Sequence, residues 1–420
     1  MNDALGTSIY AFADKTFDQG TGGDSGYDSL IGTSALVVSD QAVQAWRGRH
    51  AVIKAYQQAV IRVFRESLSG QRDPRIAAMV LADLPSDQGT VEHAVLTDCQ
   101  LQTPAFFRTD EPVPGCCSEI QCPGSAWDIA ELLWNVAQAF PAEYSGPRHF
   151  THSPAAGFAA ALRTHLNAGP IVHHLVDNAS RPHGMRYWIQ QTRAAGVRYF
   201  GYDRGVEYAH CNFVRSHDFV SLRNHNFYAE RMKMCGDGKV TFDLPPCALF
   251  DGKAIMAWPF WSATRDAFTD EMRALLPYTA LIADDRITTA DGEELSLAAY
   301  LERPQGQRNA FIKYAGTDIS INWGSRAVYR ADTLSRGQRS ELVARIQQDD
   351  RAGRYWVLQE AMQQKDAITY WSRTGGIEEM AANVKWSAFY GPSGLISLLA
   401  FHKAAHKVHG SSLTVCTVVR

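Results

Sequence analysis

The stretch Phe106–Ser125, FFRTDEPVPGCCSEIQCPGS, contains the most informative pattern in the sequence. The Pro and Gly residues in its middle predict a turn between two short strands, which is typical of a β-hairpin. Arg108 and Asp110 lie two residues apart on the first strand, and Glu119 and Gln121 lie two apart on the second. Because side chains alternate between the two faces of a strand, each pair lies on one face.

These four side chains would form one polar patch on the hairpin. Asp110, Glu119 and Gln121 offer carboxylate and amide oxygens, which are the hard ligands that Mg²⁺ prefers. Arg108 beside them can hold a carboxylate or a phosphate through two parallel hydrogen bonds. The same residues also allow a plain surface ion pair between Arg108 and one of the carboxylates, which needs no ligand.

A second polar stretch, Asn309–Arg330 (NAFIKYAGTDISINWGSRAVYR), places an apolar strand that ends at Lys313 before a run of small residues. Small residues between strands allow backbone N–H groups to close over phosphates, and a lysine neutralises the phosphate charge. The alternative is an ordinary β-hairpin with small residues at its tip. The small residues are Gly316, Thr317, Ser320, Gly324 and Ser325.

The segment RYWVLQEAM, residues 354–362, predicts a strand that ends at Gln359 and Glu360. A strand in this position can hydrogen-bond the edge of a nucleobase. The segment is equally typical of a buried strand that runs into a helix.

Three histidines near the end of the sequence, His402, His406 and His409, have a spacing that places them on one face of a helix, as zinc ligands can be. The same segment also fits a strand or a turn, with the histidines solvated. The eight cysteines contain no CxxC pair, which indicates reduced thiols rather than a disulfide framework or a zinc knuckle.

The composition sets broad limits on function. The 420 residues include 45% hydrophobic and 20% charged side chains, which is typical of a globular protein and excludes a mainly disordered chain. A net charge of -3 gives no overall attraction to nucleic acid or to an anionic membrane. Because the sequence shows no apolar run of membrane-spanning length and no secretory leader pattern, we expect a cytoplasmic protein without nucleic-acid or membrane partners.

The rest of the sequence predicts an α/β fold. After a polar leader, helical periodicity extends over Gln41–Leu68, and a second helix is expected over Asp73–Leu84. From residue 171 a strand, a helix and a second strand follow each other, which predicts a βαβ unit with a parallel sheet. The expected short elements are strands over 91–96, 105–109, 118–122, 171–176 and 197–202, and helices over 127–140 and 185–195.

Taken in this order, the motifs resemble the circularly permuted ATP-grasp ligases, the group that includes the synthetase domain of glutathionylspermidine synthetase. The resemblance implies an α/β fold of the circularly permuted ATP-grasp type with a Rossmann-like substrate domain. It divides the chain into an N-terminal helical segment (1–100), a metal-binding part (101–168), a Rossmann-like domain (169–302), and a nucleotide lid with closing strands (303–420).

The resemblance also implies roles for individual residues. Arg108 would meet the reacting carboxylate, and Lys253 (in LFDGKAIMA) and Lys313 would bind the nucleotide, with Lys313 also catalytic. Two positions depart from the family pattern, because Gln121 replaces an asparagine and no arginine stands near Gly394. The remaining implied positions are Asp110, Glu119 and Gln121 as Mg²⁺ ligands, Gly316–Arg326 with Gly316, Ser320, Gly324 and Ser325 as the phosphate lid, and Gln359 and Glu360 at the adenine hinge.

The function implied is an ATP-dependent carboxylate–amine ligase that forms an amide through an acylphosphate, with ATP and Mg²⁺ as cofactors. The carboxylate would belong to an amino acid or small peptide, and arginines of the middle domain would bind it. Two alternatives stay open, a non-catalytic ATP-grasp nucleotide-binding protein and a metal hydrolase based on the three histidines. The oligomeric state is left open. The middle-domain arginines are Arg181, Arg186, Arg204 and Arg215.

Overall fold

A computed structural model describes most of the chain. The described residues are 2–17, 29–84, 103–121, 126–146, 148–166, 171–175, 182–201, 212–216, 237, 241–242, 248–250, 252–318, 321, 326–406, 408 and 414–419. The helices within them are α1 (Asn2–Phe17), α2 (Asp40–Leu68), α3 (Arg75–Leu81), α4 (Trp127–Ala139), α5 (Pro154–Leu166), α6 (Pro182–Ala194), α7 (Asp270–Ala274), α8 (Leu297–Glu302) and α9 (Arg336–Arg351).

The strands of the described residues fall into three larger sheets and one small β-ribbon. They are β1 (Leu30–Gly32), β2 (Phe107–Glu111), β3 (Glu119–Gln121), β4 (Ile171–Leu175), β5 (Arg198–Gly201), β6 (Phe213–Ser216), β7 (Thr241–Phe242), β8 (Thr279–Ile282), β9 (Arg286–Thr288), β10 (Glu294–Ser296), β11 (Ala310–Tyr314), β12 (Val328–Arg330), β13 (Trp356–Glu360), β14 (Gln364–Trp371), β15 (Ile377–Gly391), β16 (Gly394–Lys403) and β17 (Val415–Val418).

The largest sheet has seven strands in the order β14-β1-β17-β16-β15-β2-β3. Strand β14 also pairs with β15, so five of the strands, β14, β1, β17, β16 and β15, close into a ring. Within this sheet β1 and β17 are parallel and the other pairs are antiparallel. The 15-residue strand β15 is long enough to pair with β14 along its first half and with β2 along its second half.

The second sheet is antiparallel, with the order β12-β11-β13-β8. It carries Lys313 on β11 and Gln359 on β13. The third sheet, β5-β4-β6-β7, is parallel throughout. Helix α6 connects β4 to the neighbouring parallel strand β5, so the predicted βαβ unit is confirmed.

Helix α2 covers one side of the large sheet. It begins after Ser39, whose side chain accepts a hydrogen bond from the backbone N–H of Ala42, as an N-cap residue does. Its buried Trp46, Tyr56 and Phe64 belong to the same apolar core as residues of β2 and β15. The predicted helix over Gln41–Leu68 is therefore confirmed, and α3 occupies the middle of the second predicted helix.

Two expectations about the first hundred residues have different outcomes. The polar leader contains a helix, α1, whose Ile9, Tyr10, Ala13 and Phe17 are buried at helical spacing. Gly6 and the neighbouring hydroxyl residues have weak helix propensity, which explains why this helix was not predicted. The strand expected over 91–96 lies outside the described residues. In the described part of the chain, no helix combines the length and apolar character needed to cross a membrane.

The other side of the large sheet packs against an aromatic core formed with α1, α4, α5 and α6. Arg215 of β6 lies inside this core, with its guanidinium 4.8 Å from the ring of Phe158 and 5.2 Å from that of Trp127. The expectation that Arg215 binds substrate is therefore wrong for this structure, because the aromatic rings enclose it. Arg186 is exposed on α6, and residues 181 and 204 lie outside the described part.

Candidate functional site

The predicted hairpin is present, with its turn at residues 112–118. The register in which its two strands pair determines which side chains meet at the site. In the antiparallel pair of β2 and β3, Asp110 lies directly opposite Glu119 and Arg108 lies opposite Gln121. Residues directly opposite each other in such a pair project to the same face of the sheet. The register therefore brings the four polar side chains together, as the two-residue spacing predicts.

Buried Glu111 anchors this hairpin from the opposite face of β2. One of its carboxylate oxygens, Oε2, accepts hydrogen bonds from Trp46 Nε1 at 2.9 Å, Arg49 Nη1 at 2.9 Å and the backbone N–H of Gly115 at 2.7 Å. The other oxygen accepts from Thr109 Oγ1 at 2.9 Å. Because these donors come from helix α2, from β2 and from the hairpin turn, Glu111 fixes the position of the strand that carries Arg108 and Asp110.

Asp110 is held by four hydrogen bonds. Arg108 donates to both carboxylate oxygens, Nε to Oδ1 at 2.8 Å and Nη2 to Oδ2 at 3.0 Å. From β15, Lys385 Nζ donates to Oδ2 at 2.8 Å and Ser387 Oγ donates to Oδ1 at 2.9 Å. Burial alone would raise the pKa of Asp110, but the charges of Arg108 and Lys385 outweigh it and hold the pKa well below its ordinary value. Asp110 is therefore ionised.

Two lysines approach the other carboxylate of the hairpin. Lys253 Nζ lies 3.7 Å from Glu119 Oε1, and Lys313 reaches the same region from β11. Burial lowers the pKa of Lys313 to about 8, although the negative charge of Glu119 opposes this shift. Burial would raise the pKa of Glu119, but the two lysines outweigh that effect and lower it. The electrostatic coupling shows that these side chains form one cluster.

The backbone next to Lys253 is docked on the end of β11. The N–H of Lys253 donates to the carbonyl oxygen of Ala315 at 2.8 Å. A Cβ atom on Gly252 would lie only 2.9 Å from the same oxygen, so this approach requires glycine. The two lysines are thus fixed relative to each other although sixty residues separate them in the sequence.

The turn at Gly316 binds a carboxylate from elsewhere in the chain. The side chain of Asp83, which follows α3, accepts hydrogen bonds from the backbone N–H groups of Thr317 at 2.8 Å and Asp318 at 3.1 Å and from the hydroxyl of Tyr314 at 2.6 Å. The backbone N–H groups expected to close over phosphates are therefore occupied by this internal anion at two positions. The other expected lid residues, Ser320, Gly324 and Ser325, lie outside the described residues.

The strand expected at the adenine hinge is β13, and Gln359 near its end contacts Lys313. Buried Gln359 accepts a hydrogen bond from Lys313 Nζ at 2.6 Å and donates one to Thr279 Oγ1 at 3.1 Å. The side chain of Glu360 is exposed, while its backbone N–H donates to the carbonyl oxygen of Tyr278 at 2.8 Å. Strand β14, rather than a helix, follows β13.

Lys385 and Ser387 belong to the site but were not predicted from the sequence. They lie two residues apart on β15, which is the same spacing that identifies Arg108 and Asp110 on β2. That spacing is the signal that could have found them, because it predicts two side chains on one face. Although an arginine is absent near Gly394, Lys385 supplies a cation to the site from the preceding strand.

His402 and His406 do not lie on a helix. His402 is fully buried on β16, where burial lowers its pKa to about 4, and His406 follows the end of that strand. Residue 409 lies outside the described part. The helical spacing on which a zinc site would depend is therefore wrong, and the described residues contain no group of three His, Cys, Asp or Glu side chains able to hold a metal.

The oxygens of the hairpin differ in how they could accept Mg²⁺. Glu119 has a side chain that is 33% exposed, and among the described residues it makes one ion-pair contact, with Lys253, so it fits a metal ligand. Gln121 lies next to it on β3, half-buried. Each oxygen of Asp110 already accepts two hydrogen bonds, so Asp110 would take a cation most easily by losing a donor.

The comparisons with known proteins find a similarity of fold and no match in sequence. No protein-family model matches the chain, and no curated protein matches it in sequence. Among solved structures it is similar to a glutathione synthetase-like effector from Globodera pallida in its apo form, with 10% identity and a TM-score of 0.56, over 100% of this chain and 97% of that one. A candidate gamma-glutamylcysteine synthetase from Methylobacillus flagellatus is also 10% identical, with a TM-score of 0.42 over 83% of this chain and 87% of its own. The chain therefore has a mixed α/β fold that it shares with the glutathione synthetase-like effector.

Proposed function

We propose that the protein is an ATP-dependent ligase that joins a carboxylate to an amine, with an amino acid or small peptide as the carboxylate substrate. The observation that carries the proposal is the cluster in which four cationic side chains surround two carboxylates between two sheets. This excess of positive charge suits a site for phosphates and a substrate carboxylate. The four cations are Arg108, Lys253, Lys313 and Lys385.

The reaction we propose has two steps. A carboxylate oxygen of the substrate attacks the γ-phosphorus of ATP, the bond from that phosphorus to the β–γ bridging oxygen breaks, and ADP leaves. The amine nitrogen then attacks the acyl carbon, phosphate leaves, and the nitrogen loses a proton to give the amide. No protein nucleophile takes part, so the chain contributes positions and charge.

The cationic residues have separate tasks in this proposal. Arg108, fixed by its two bonds to Asp110, orients the reacting carboxylate. Lys253 and Lys313 neutralise the phosphate charge that spreads during transfer. Gln359 and Glu360 would border the adenine, and the turn that begins at Gly316, with Ser320, Gly324 and Ser325, would close over the phosphates and exclude water.

The metal site would use oxygens of the hairpin. Asp110, Glu119 and Gln121 would hold Mg²⁺ together with phosphate oxygens, since Mg²⁺ is usually bound through one or two carboxylates and the substrate phosphates. The ion would neutralise charge on the transferred phosphoryl group. We also propose the division into segments 1–100, 101–168, 169–302 and 303–420, with the circularly permuted ATP-grasp fold and a Rossmann-like substrate domain.

A non-catalytic nucleotide-binding protein is the second candidate. The observation that favours it over the ligase is the carboxylate of Asp83, which occupies the backbone N–H groups of Thr317 and Asp318 and so keeps them from closing over the transferred phosphate. Such a protein would bind Mg²⁺-ATP without consuming it.

The test is ADP release with Mg²⁺-ATP and a panel of amino acids, offered singly and in pairs. The ligase predicts release that depends on a pair and a product whose mass equals the two substrates minus water. Glu119→Ala is the inactive blank. Mg²⁺-dependent ATP binding without release supports the second candidate, and no ATP binding contradicts both.

Two lysine variants refine this test. Lys313→Ala should raise the KM for ATP strongly, because it removes a buried phosphate contact, whereas Lys365→Ala on exposed β14 should leave it unchanged. Equal KM values for the two variants would contradict the role of Lys313.

A further inference from the structure

The side chain of Lys385 holds a position at the centre of the site that none of the proposed steps has used. Its Nζ lies 2.8 Å from Asp110 Oδ2, and its side chain is 15% exposed. The ring of Phe401 lies 5.1 Å from the same Nζ. The charge of Lys385 also acts on Glu119 and Lys313, so it belongs to the same cluster.

Asp110 has its four usual lone-pair positions filled while Lys385 is bound. A carboxylate offers about four lone-pair positions, and Asp110 uses them for two bonds from Arg108, one from Ser387 and one from Lys385. A divalent cation would therefore join Asp110 most easily by replacing one of these donors.

Of the two cationic donors to Asp110, Lys385 can leave at the smaller cost. Arg108 holds Asp110 through two bonds of a rigid planar fork, whereas Lys385 makes one bond at the end of a flexible stem. A cation close to Asp110 also repels the ammonium directly. Once released, the ammonium remains among the phosphate-binding groups, because its backbone is fixed in β15.

We propose that Lys385 is a further catalytic residue, which gives up its place on Asp110 to the divalent cation and then binds the transferred phosphoryl group. The proposal rests on the proposed ligase function. No covalent bond to Lys385 forms or breaks. Its ammonium adds a positive charge where negative charge spreads in the phosphoryl transfer.

The proposal predicts opposite effects of one substitution on metal affinity and turnover. Without nucleotide, Lys385→Met should bind Mn²⁺ at least about tenfold more tightly than the wild type, because the competing cation on Asp110 is gone. With substrates and Mg²⁺-ATP, kcat should fall by about a hundredfold or more, since a charge-stabilising group is lost. Mn²⁺ binding is measured by electron paramagnetic resonance, and turnover by ADP release.

Control variants separate this exchange from a structural role. Lys365→Met removes a charge from exposed β14 and should change neither quantity. Lys385→Arg keeps a cation on Asp110 and should leave Mn²⁺ affinity at or below that of the wild type, with partial kcat. If Lys385→Met does not fold, as judged by urea unfolding, Lys385→Gln takes its place.

The outcomes are distinct. Unchanged or weaker Mn²⁺ binding in both the methionine and the glutamine variant overturns the exchange. Tighter Mn²⁺ binding with unchanged kcat overturns the catalytic role. A wild type that binds Mn²⁺ but releases no ADP with any pair of substrates overturns the ligase function itself, and the catalytic role of Lys385 with it.

Discussion

The carboxylate of Asp83 lies where a side chain on residue 316 would begin, because a Cβ built on Gly316 would be 2.0 Å from Asp83 Oδ2 and 2.6 Å from the hydroxyl of Tyr314. Only a glycine allows this contact. The turn after β11 and the end of α3 are thus joined by a contact that leaves no space for a methyl group.

We therefore expect Gly316→Ala to move Asp83 away from the turn and to destabilise the protein by about 1–3 kcal/mol, the usual cost of an overpacked site. Urea unfolding measures the effect. Gly306→Ala is the matched control, since a Cβ on Gly306 meets no atom within 4 Å. Equal stability of the two variants would show that the contact between Asp83 and the turn does not form in solution.

Glu111→Ala should destabilise the protein by about 3–5 kcal/mol, because it leaves the partly buried charge of Arg49 and several other donors without their acceptor. The exposed Glu379, on the long strand β15, offers the control Glu379→Ala, which should change stability by less than about 0.5 kcal/mol. The free energies of unfolding of the two variants, measured with a chemical denaturant, test this prediction. A small effect of Glu111→Ala would mean that the hairpin is held by its apolar contacts alone.

ATP affinity should depend on pH through Lys313. Because burial lowers the pKa of Lys313 to about 8, its charge is present at pH 7 and is lost as the pH rises through 8 and above. Affinity for ATP should therefore be constant near pH 7 and fall above pH 8, by up to about tenfold per pH unit. The affinity for ATP, measured by titration calorimetry at several pH values across this range, tests the prediction. Lys313→Arg, which stays charged, should show a flat profile.

Stability should fall in mild acid because of His402. Its pKa is 6.5 in an unfolded chain and is lowered to about 4 by burial, so between these values only the unfolded state takes up the proton. Stability from this group is complete above pH 6.5 and declines by about 3 kcal/mol as the pH falls to 4. His402→Leu should remove that part of the decline in unfolding measured at several pH values, whereas His406→Leu, at an exposed position, should retain it.

Local patterns were sufficient to predict the elements of the site whose partners lie close in sequence. The two-residue spacing of Arg108 with Asp110 and the turn residues after them predict the β2–β3 hairpin, and periodicity predicts α2. The βαβ unit follows from the alternation of strand and helix. These features depend on neighbours within about thirty residues, so composition and spacing contain the necessary information.

Contacts between distant segments could not be predicted in this way. Lys385 and Asp110 are 275 positions apart, and Tyr314 and Asp83 are 231 apart. Their meeting depends on the register of β15 against β2 and on the position of α3 beside β11, which no local pattern contains. Buried Arg215 was misassigned for a related reason. The sequence around an arginine does not tell whether its side chain is enclosed by aromatic rings or faces a substrate.

Because β1 pairs with β17 in the ring of strands, the pairing of β1 cannot be completed until β17 has been synthesised. Leu30 pairs with Val415 and Ile31 pairs with Trp371, so β1 obtains its second neighbour only after residue 415 has left the ribosome. Until then one edge of β1 has unpaired backbone groups, which can pair with other chains. A nascent chain that stops short of β17 should therefore aggregate even though α2, β2 and β3 are already present.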